Sequence, residues 1–299
     1  VVDVETCFLQ EEPTNLIRKE VKRWGIEHKV PFYDILRHEG FLRTMQVRLC
    51  RTGELMINIV VGYADEKLLN RLMAHLMERF PAITTLLYTI NGKMNDSLHG
   101  LNPVTYHGNG YVIEKLEGFS FKIGPKSFFQ TNTAQAERLY QVARDLAGLK
   151  GTETVYDLYC GTGSIGIFLS KLAHRVIGVE LIPEAIADAR ENAALNQVVH
   201  ADFYTGDVSE ICSDSFFLEH GRPEVIITDP PRAGMAPKLL EKLLEIGAEK
   251  IIYVSCNPAT QARDLQLLSE KYAVAAIQPV DMFPHTHHIE NVTGLFLKH

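Results

Sequence analysis

The second half of the sequence alternates between apolar segments of strand length and segments with helical spacing. Strands separated by helices form βαβ units, in which neighbouring strands are parallel and helices cover both faces of the sheet. From about residue 126 the alternation therefore predicts an α/β domain with a doubly wound, Rossmann-like parallel sheet. The predicted strands are Thr154–Cys160, Arg175–Glu180, His200–Thr205, Glu224–Thr228, Lys250–Ser255, Val274–Val280 and Val292–Leu297.

The first 125 residues lack this rhythm and predict a smaller mixed α/β domain. Two segments rich in strand formers meet at Thr52-Gly53, which predicts a hairpin. A helical run that ends at a proline comes next, then a strand, then a loop rich in Gly, Asn, His and Pro. We therefore predict two domains, residues 1–125 and 126–299. The N-terminal segments are Phe41–Arg51, Glu54–Tyr63, Glu66–Phe80, Ala82–Asn91 and Asn91–Asn109.

The composition narrows the class of protein. Of 299 residues, 46% are hydrophobic and 22% charged, which is typical of a globular protein, and no apolar run approaches the ~20 residues that span a bilayer. Five scattered cysteines argue against a disulfide framework. We expect a cytoplasmic monomer that does not bind membranes. The net charge of −7 counts against a simple basic nucleic-acid binder, and the start at Val1 instead of Met predicts a fragment of a longer protein.

A glycine-rich loop follows the first predicted strand of the second domain. Gly161, Gly163 and Gly166 allow a sharp turn and a close backbone approach to a ligand at a helix N-terminus. Glu180 ends the next strand, where a carboxylate can accept hydrogen bonds from ribose hydroxyls. This spacing fits NAD as well as S-adenosylmethionine, and a tight turn without a ligand is also compatible with it. Asp157, four residues before the first glycine, favours S-adenosylmethionine.

Asp229-Pro230-Pro231-Arg232 stands directly after the fourth predicted strand. Two prolines stiffen the backbone, so the Asp229 side chain is held at the carboxyl edge of the sheet. Many enzymes that methylate amino groups carry an aromatic residue after a similar Asp-Pro-Pro, and Arg232 in that place disfavours their chemistry. A simple turn at the end of a strand remains the alternative.

Cys256 directly follows the fifth predicted strand, in a turn closed by Asn-Pro at the same edge of the sheet. A lone cysteine is usually a small buried hydrophobic residue, but this position suits a partly exposed thiol near a helix start. Later in the chain, three histidines precede Glu290. Their spacing fits no common zinc site, and Glu290 by itself fits an ordinary exposed glutamate better than a functional carboxylate.

The combination of motifs resembles the RNA uracil-5-methyltransferase family, and the resemblance covers nearly the whole chain. It is carried, in this order, by Ser127-Phe128-Phe129-Gln130-Thr131-Asn132, Asp157-Leu158-Tyr159-Cys160-Gly161-Thr162-Gly163, Asp229-Pro230-Pro231-Arg232, Ser255-Cys256-Asn257-Pro258 and His285-Thr286-His287-His288-Ile289-Glu290.

The resemblance implies a class I methyltransferase domain that uses S-adenosylmethionine and acts on RNA. It implies that Cys256 is the catalytic nucleophile and Glu290 the catalytic base. The residues implied around the cofactor are Gln130, Tyr159, Gly161, Gly163, Glu180, Asp207 and Asp229. Those expected at the uracil are Phe129, Gln130 and Arg232.

The expected reaction is methyl transfer to carbon 5 of a specific uridine, through a covalent bond between Cys256 and carbon 6. We expect 23S rRNA rather than tRNA as the substrate. Three alternatives stay open at this stage: a cytosine-5 RNA methyltransferase, a small-molecule methyltransferase in which Cys256 is only packing, and an RNA-binding adaptor without activity.

Members of this family often have an N-terminal oligonucleotide-binding-fold domain, which this sequence lacks. Some also hold an iron–sulfur cluster with four cysteines, the last of which lies in a segment similar to Val1–Cys7. The three partner cysteines are missing here. We therefore expect no metal in this chain, and treat Cys7 as an orphaned ligand whose cluster requires a longer chain.

Overall fold

The computed structural model describes residues 2–298, which divide into two compact units. Unit 1 comprises residues 2–115 with 122–127, and unit 2 comprises residues 116–121 with 128–298. A two-stranded ribbon, β5 (Val112–Leu116) and β6 (Phe119–Ile123), falls partly in each. Unit 1 also contains α1 (Thr14–Glu27), β1 (Leu42–Leu49), β2 (Leu55–Val61), α2 (Glu66–Arg79), β3 (Thr85–Ile90) and β4 (Val104–His107).

Unit 1 is a four-stranded sheet in the order β1-β2-β3-β4. The predicted hairpin is confirmed, since β1 and β2 pair antiparallel, from Leu42 opposite Val61 to Leu49 opposite Leu55. The helix α2 connects β2 to β3, which lie parallel as a helical crossover allows. Apolar residues of both helices form the core with this sheet, among them Ile17, Trp24, Leu69, Leu72, Ile57 and Leu86.

One N-terminal expectation needs correction, and one helix was missed. The segment Asn91–Asn109 is not all loop, because β4 lies within it and pairs antiparallel with β3. All four residues of β4 are exposed, so this edge strand lacks the alternation of buried and exposed residues that reveals a strand in sequence. The helix α1 was not predicted, although Ile17 and Trp24 have helical spacing and bury the same face.

Unit 2 contains the second, larger sheet. Its strands are β7 (Thr154–Leu158), β8 (Arg175–Glu180), β9 (Ala201–Thr205), β10 (Val225–Thr228), β11 (Lys250–Ser255), β12 (Tyr272–Val280) and β13 (Glu290–Leu297). Its helices are α3 (Thr133–Ala147), α4 (Ser164–Leu169), α5 (Pro183–Leu195), α6 (Val208–Ile211), α7 (Asp214–His220), α8 (Pro237–Ile246) and α9 (Pro258–Leu268), and a short 3₁₀ turn, Ser170–Leu172, follows α4.

The predicted Rossmann-like α/β fold is confirmed, but its sheet is mixed rather than wholly parallel. The strand order is β12-β13-β11-β10-β7-β8-β9, and β13 runs antiparallel to both of its neighbours. The connection from β12 to β13 spans only residues 281–289 and contains no helix. Parallel neighbours need a longer crossover, so this short loop forces the chain to reverse. No helix among residues 2–298 combines the length and apolar character needed to cross a membrane.

Candidate active site

Strand direction brings the predicted site residues to one edge of the large sheet. The strands β7 to β11 are parallel and share a carboxyl edge, and the antiparallel β13 begins at that edge. Ligands of doubly wound sheets bind there. Six predicted residues follow, end or begin these strands: Tyr159 after β7, Glu180 at the end of β8, Asp207 after β9, Asp229 after β10, Cys256 after β11 and Glu290 at the start of β13.

The glycine loop between β7 and α4 turns through left-handed backbone conformations. The φ angles of Tyr159, Gly161 and Gly163 are 61°, 52° and 76°. A Cβ atom at Gly163 would lie 2.9 Å from the ring of Phe203, so glycine there lets the loop pack against β9. A Cβ atom at Gly161 would meet nothing within 4 Å. The loop is therefore open beside Gly161, where a ligand can approach the backbone.

Glu180 fixes the glycine loop to the end of β8. Its Oε2 accepts the Gly161 N–H at 3.3 Å, and its Oε1 accepts the Ile182 N–H at 3.0 Å. A carboxylate has about four acceptor positions. Glu180 can hold the turn through these two bonds and still accept hydrogen bonds from a diol.

Asp207 caps the short helix α6. Its exposed carboxylate accepts the Ser209 N–H at 2.8 Å and the Ser209 hydroxyl at 2.5 Å. The hydrogen bonds to Ser209 lower the pKa of Asp207, so the group is ionised at neutral pH. Its position after β9 places it at the site edge, and its predicted role in cofactor binding stays a prediction.

Asp157, near the end of β7, carries a buried oxygen without a partner. Its side chain is 0% exposed; Oδ2 accepts the Gly166 N–H at 2.8 Å. Among residues 2–298, Asp157 Oδ1 is the buried side-chain polar atom that has no hydrogen-bond partner. Burial raises the pKa of Asp157 to about 7, opposed by the Gly166 bond and assisted by Glu180. Burying an oxygen without a hydrogen bond costs free energy, unless a bound ligand or water donates to it.

Cys256 lies in the turn between β11 and α9 and is half-buried. Asn257 caps α9 by accepting the Ala259 N–H at 3.1 Å, and its own N–H donates to Ser255 Oγ at 3.1 Å. These bonds fix the turn on both sides of the thiol. Burial raises the pKa of Cys256, as do the Glu290 and Asp229 carboxyls, while Arg232 opposes them. Burial and the two carboxyls thus disfavour the thiolate, and Arg232 is the neighbouring charge that favours it.

Glu290 lies at the end of the antiparallel ladder between β11 and β13, on the side of Cys256. Ser255 of β11 pairs with Asn291 of β13, so the next positions along the two strands are Cys256 and Glu290. Glu290 is 8% exposed, and burial raises its pKa to about 7, with Arg232 acting in the opposite direction. A carboxyl with this pKa can take up a proton near neutral pH.

Asp229 joins the same acidic group at the end of β10. Its N–H donates to the Leu158 carbonyl at 3.4 Å, which aligns the start of the Asp-Pro-Pro turn with β7. Burial raises the pKa of Asp229 well above its ordinary value, and Glu290 and Asp157 raise it further. Three carboxyl groups that disfavour ionisation therefore cluster where the strands end.

The segment before α3 connects the glycine loop to the loop that leads to Glu290. The Thr162 hydroxyl donates to the Phe128 carbonyl at 3.4 Å, and the Asn132 side-chain amide donates to the Met282 carbonyl at 3.0 Å. Gln130, 8% exposed, lies between these two anchors. This position fits the predicted contact of Gln130 with both cofactor and uracil.

Comparison with known proteins shows the family of this chain. The model of the family described as tRNA (uracil-5-)-methyltransferase matches residues 109–299. The chain belongs to this family. Two curated relatives, both described as uncharacterized RNA methyltransferases, come from Bacteroides thetaiotaomicron and Porphyromonas gingivalis. Each is 48% identical to this chain and aligns with 100% and 99% of it, respectively. The chain spans 66% and 64% of their lengths.

A solved structure resembles this member of the uracil-5-methyltransferase family over nearly its whole length. It is Pyrococcus abyssi tRNA (uracil-54, C5)-methyltransferase in complex with S-adenosyl-L-homocysteine, with a TM-score of 0.81 and 30% identity. The match covers 99% of this chain and 70% of that one. The complex of aTrm5 with tRNALeu has a TM-score of 0.58 at 14% identity, and this likeness shows the fold alone.

The structure distinguishes two adjacent phenylalanines, of which the sequence prediction assigned Phe129 to the uracil. Phe129 is 2% exposed, and its ring packs at 5.3 Å from that of Phe121, so it belongs to the core. Phe128 is 72% exposed. The burial of Phe129 does not support a direct contact with a base, whereas Phe128 presents a free aromatic face. Sequence alone offered no signal for choosing between two neighbouring identical residues.

Cys7, the predicted orphaned cluster ligand, is half-buried in unit 1. Its N–H donates to Asn15 Oδ1 at 2.8 Å, and the Asn15 amide donates to the Cys7 carbonyl at 3.2 Å. No group of three or more His, Cys, Asp or Glu side chains within residues 2–298 is arranged to hold a metal ion. The role of Cys7 in a longer chain stays a prediction.

Proposed function

We propose that this chain is the catalytic part of an enzyme that methylates carbon 5 of a uridine in RNA through a covalent adduct with Cys256. The observation that carries the proposal is the placement of Cys256 opposite Glu290 at the end of one ladder. A nucleophile and a base that face each other can act on neighbouring atoms of a single ring. The chain spans about two thirds of its relatives, so the activity of the whole protein is part of the proposal.

The glycine loop fits S-adenosylmethionine as the methyl donor. The open side of Gly161, the unpartnered Oδ1 of Asp157 and the spare acceptor positions of Glu180 suit a ligand that carries both a ribose and an ammonium group. Tyr159, Asp207 and Asp229 line the same edge of the sheet. The similar Pyrococcus abyssi enzyme was crystallised with the demethylated form of this cofactor. When bound, S-adenosylmethionine supplies an electrophilic methyl group and a positive charge.

The nucleophile makes carbon 5 reactive. Cys256 Sγ adds as a thiolate to carbon 6 of the uracil, and the electron pair of the 5,6 double bond moves toward oxygen 4 to give an enolate. Arg232 and Gln130 are the donors proposed to stabilise the uracil oxygens. Carbon 5 of the enolate would then take the methyl group as the methyl–sulfur bond of the bound donor breaks, which leaves S-adenosylhomocysteine. Without the addition, carbon 5 is too weak a nucleophile for this step.

The base completes the reaction. Glu290 removes the proton from carbon 5, the double bond re-forms, and the thiolate of Cys256 leaves from carbon 6. One hydrogen of the ring has been replaced by a methyl group, the released proton passes from Glu290 to solvent, and the cysteine is regenerated. A pKa of about 7 for Glu290 suits a group that must accept a proton and release it again.

A uracil inside a helix cannot reach this edge of the sheet. The target must lie in a loop or be flipped out of its stack. We propose that Phe128, with 72% of its surface exposed, stacks on a base of the RNA during this step. Ribosomal 23S RNA remains the proposed substrate, and tRNA is the alternative because the similar Pyrococcus abyssi enzyme is a tRNA methyltransferase.

The reaction is tested with RNA that carries tritium at carbon 5 of its pyrimidines. The full-length protein with S-adenosylmethionine should release tritium from labelled uridine and form 5-methyluridine. Release from labelled cytidine would identify a cytosine-5 methyltransferase, and no release from either RNA would refute the covalent mechanism. Mapping 5-methyluridine in cells that lack the gene identifies the RNA; a missing modification in tRNA would refute the 23S rRNA proposal.

A further inference from the structure

Arg232 connects the turn of the nucleophile with the loop of the base. Its backbone carbonyl accepts the Asn257 side-chain amide at 3.1 Å and the Thr260 hydroxyl at 3.2 Å, both at the start of α9 next to Cys256. Its side-chain Nη2 lies 3.3 Å from Nδ1 of His288, two residues before Glu290. One exposed residue therefore contacts both segments that carry the reacting groups.

The contact with Arg232 fixes the state of the His288 ring. A guanidinium group only donates hydrogen bonds, so Nδ1 of His288 must accept and the ring must be neutral, with its proton on Nε2. Burial lowers the pKa of His288, and its neighbours His287 and Arg232 lower it further, which favours this neutral form.

Two hydrogen bonds of the loop fix the backbone from which the His288 ring extends. The His288 N–H donates to the Thr286 hydroxyl oxygen at 3.2 Å, and that hydroxyl donates to the Phe283 carbonyl at 2.7 Å. The acceptor offered to Arg232 is thus anchored within residues 281–289 and does not depend on the flexible end of a long side chain.

We propose that His288 is a positioning residue, whose Nδ1 holds the Arg232 guanidinium beside Cys256 and Glu290. An exposed arginine without this acceptor has many rotamers, most of which point its charge into water. Held in place, the guanidinium acts on both reacting groups, since it lowers the pKa of Cys256 and of Glu290. On the proposed function, it also donates to the uracil oxygen on which negative charge develops.

The first test needs neither RNA nor cofactor. The rate at which iodoacetamide alkylates Cys256 in the full-length protein is followed against pH by mass spectrometry of the Cys256 peptide. We expect His288→Ala and Arg232→Ala each to slow alkylation about threefold at pH 8, and the double variant to be no slower than either. His285→Ala is the matched control, because this exposed histidine lies in the same loop without packing on the His288 ring, and it should leave the rate unchanged.

The second test uses rescue. In His288→Asn, the side-chain oxygen occupies nearly the position of Nδ1 and keeps the acceptor. We expect His288→Ala to lower kcat for methylation about tenfold with KM for S-adenosylmethionine unchanged, and His288→Asn to recover most of the loss. Equal alkylation rates in wild type and His288→Ala, or multiplicative effects in the double variant, would overturn the proposal. If the two variants show the expected non-additive effects on alkylation but the wild-type protein methylates no RNA, the result counts against the proposed function alone.

Discussion

Two glutamates with the same exposure, one in each unit, have opposite acid–base behaviour. Glu20 in unit 1 and Glu290 in unit 2 are both 8% exposed. Hydrogen bonds from Arg23, assisted by His75, lower the pKa of Glu20 to about 2. Burial raises the pKa of Glu290 to about 7. Equal burial therefore gives different pKa values, because Glu20 accepts hydrogen bonds from cationic side chains within the protein and the pKa of Glu290 is dominated by burial.

The same contrast extends to other buried polar groups of the two units. In unit 1, the side chain of Asn58 donates to Gln46 at 2.9 Å and accepts from Thr89 at 2.9 Å, so its polar atoms are satisfied. In unit 2, Asp157 Oδ1 has no partner, and Asp229 has a raised pKa. The Asn58 side chain is thus satisfied within unit 1, whereas Asp157 and Asp229 keep unsatisfied polar capacity at the edge of the large sheet, which the proposed ligand and reaction would use.

The largest expected effect separates the two glutamates directly. Glu290→Gln should lower methylation at least ~100-fold, because the amide cannot accept the proton, and should leave the melting temperature nearly unchanged. Glu20→Gln should cost about 1–2 kcal/mol of stability by weakening the bonds to half-exposed Arg23 and to His75, with activity preserved. Denaturant unfolding and initial rates measure both. The contrast fails if Glu290→Gln is as active as wild type or if Glu20→Gln is the inactive variant.

The second prediction concerns the cofactor. Glu180→Ala removes a charged acceptor at the end of β8 and the bond to the Gly161 N–H, so it should weaken S-adenosylhomocysteine binding by about 1–3 kcal/mol. Isothermal titration calorimetry measures the affinity. Glu153→Ala, at the opposite end of β7, is the control and should bind normally. Unchanged affinity in Glu180→Ala, or tighter binding of NAD than of S-adenosylhomocysteine by the wild type, would remove the cofactor assignment.

The smallest expected effect is on stability against pH. The folded-state pKa of Asp157 is raised to about 7, so between about pH 4 and 7 the folded chain keeps a proton that the unfolded chain releases. The stability from this proton is present below pH 4 and is lost as pH rises through 7. Asp157→Asn should therefore flatten the fall in melting temperature from pH 5 to pH 8.

Glu20→Gln serves as the opposite control for that measurement. Its carboxyl is ionised in both states above pH 5, because the folded-state pKa is lowered to about 2, so the slope between pH 5 and pH 8 should not change. Its contribution to stability is lost only as pH falls toward 2. If the melting temperature of Asp157→Asn falls between pH 5 and pH 8 as steeply as that of the wild type, the Asp157 carboxyl is not held neutral.

Much of the site was predictable because strand ends can be found in sequence. Tyr159, Glu180, Asp229 and Cys256 each stand where an apolar strand stops, and parallel strands bring such positions to one edge. The register of β13 was not predictable, since the predicted strand began only at Val292, whereas β13 begins at Glu290 and its pairing joins residues that are distant in sequence. That register is what places Glu290 opposite Cys256.

Other features depend on contacts that are distant in sequence. The Asn132 side-chain amide donates to the Met282 carbonyl, 150 residues away in sequence, and no local sequence pattern predicts this bond. The exposure of Phe128 and the burial of Phe129 follow from packing against Phe121. The contact between Arg232 and His288 spans 56 positions. Local patterns thus identified residues by type and strand position, whereas the fold determined which of them touch.

The proposal that Cys256 and Glu290 act on one uracil ring is tested most directly by trapping the covalent intermediate. RNA labelled at its end is incubated with S-adenosylmethionine and each full-length variant, and the mixtures are run on denaturing, reducing gels. Glu290→Gln should accumulate a protein–RNA adduct, because addition and methyl transfer proceed while the carbon 5 proton cannot be removed. Cys256→Ala should show neither adduct nor methylation. Methylation of uridine by Cys256→Ala, or turnover by Glu290→Gln without an adduct, would contradict the account.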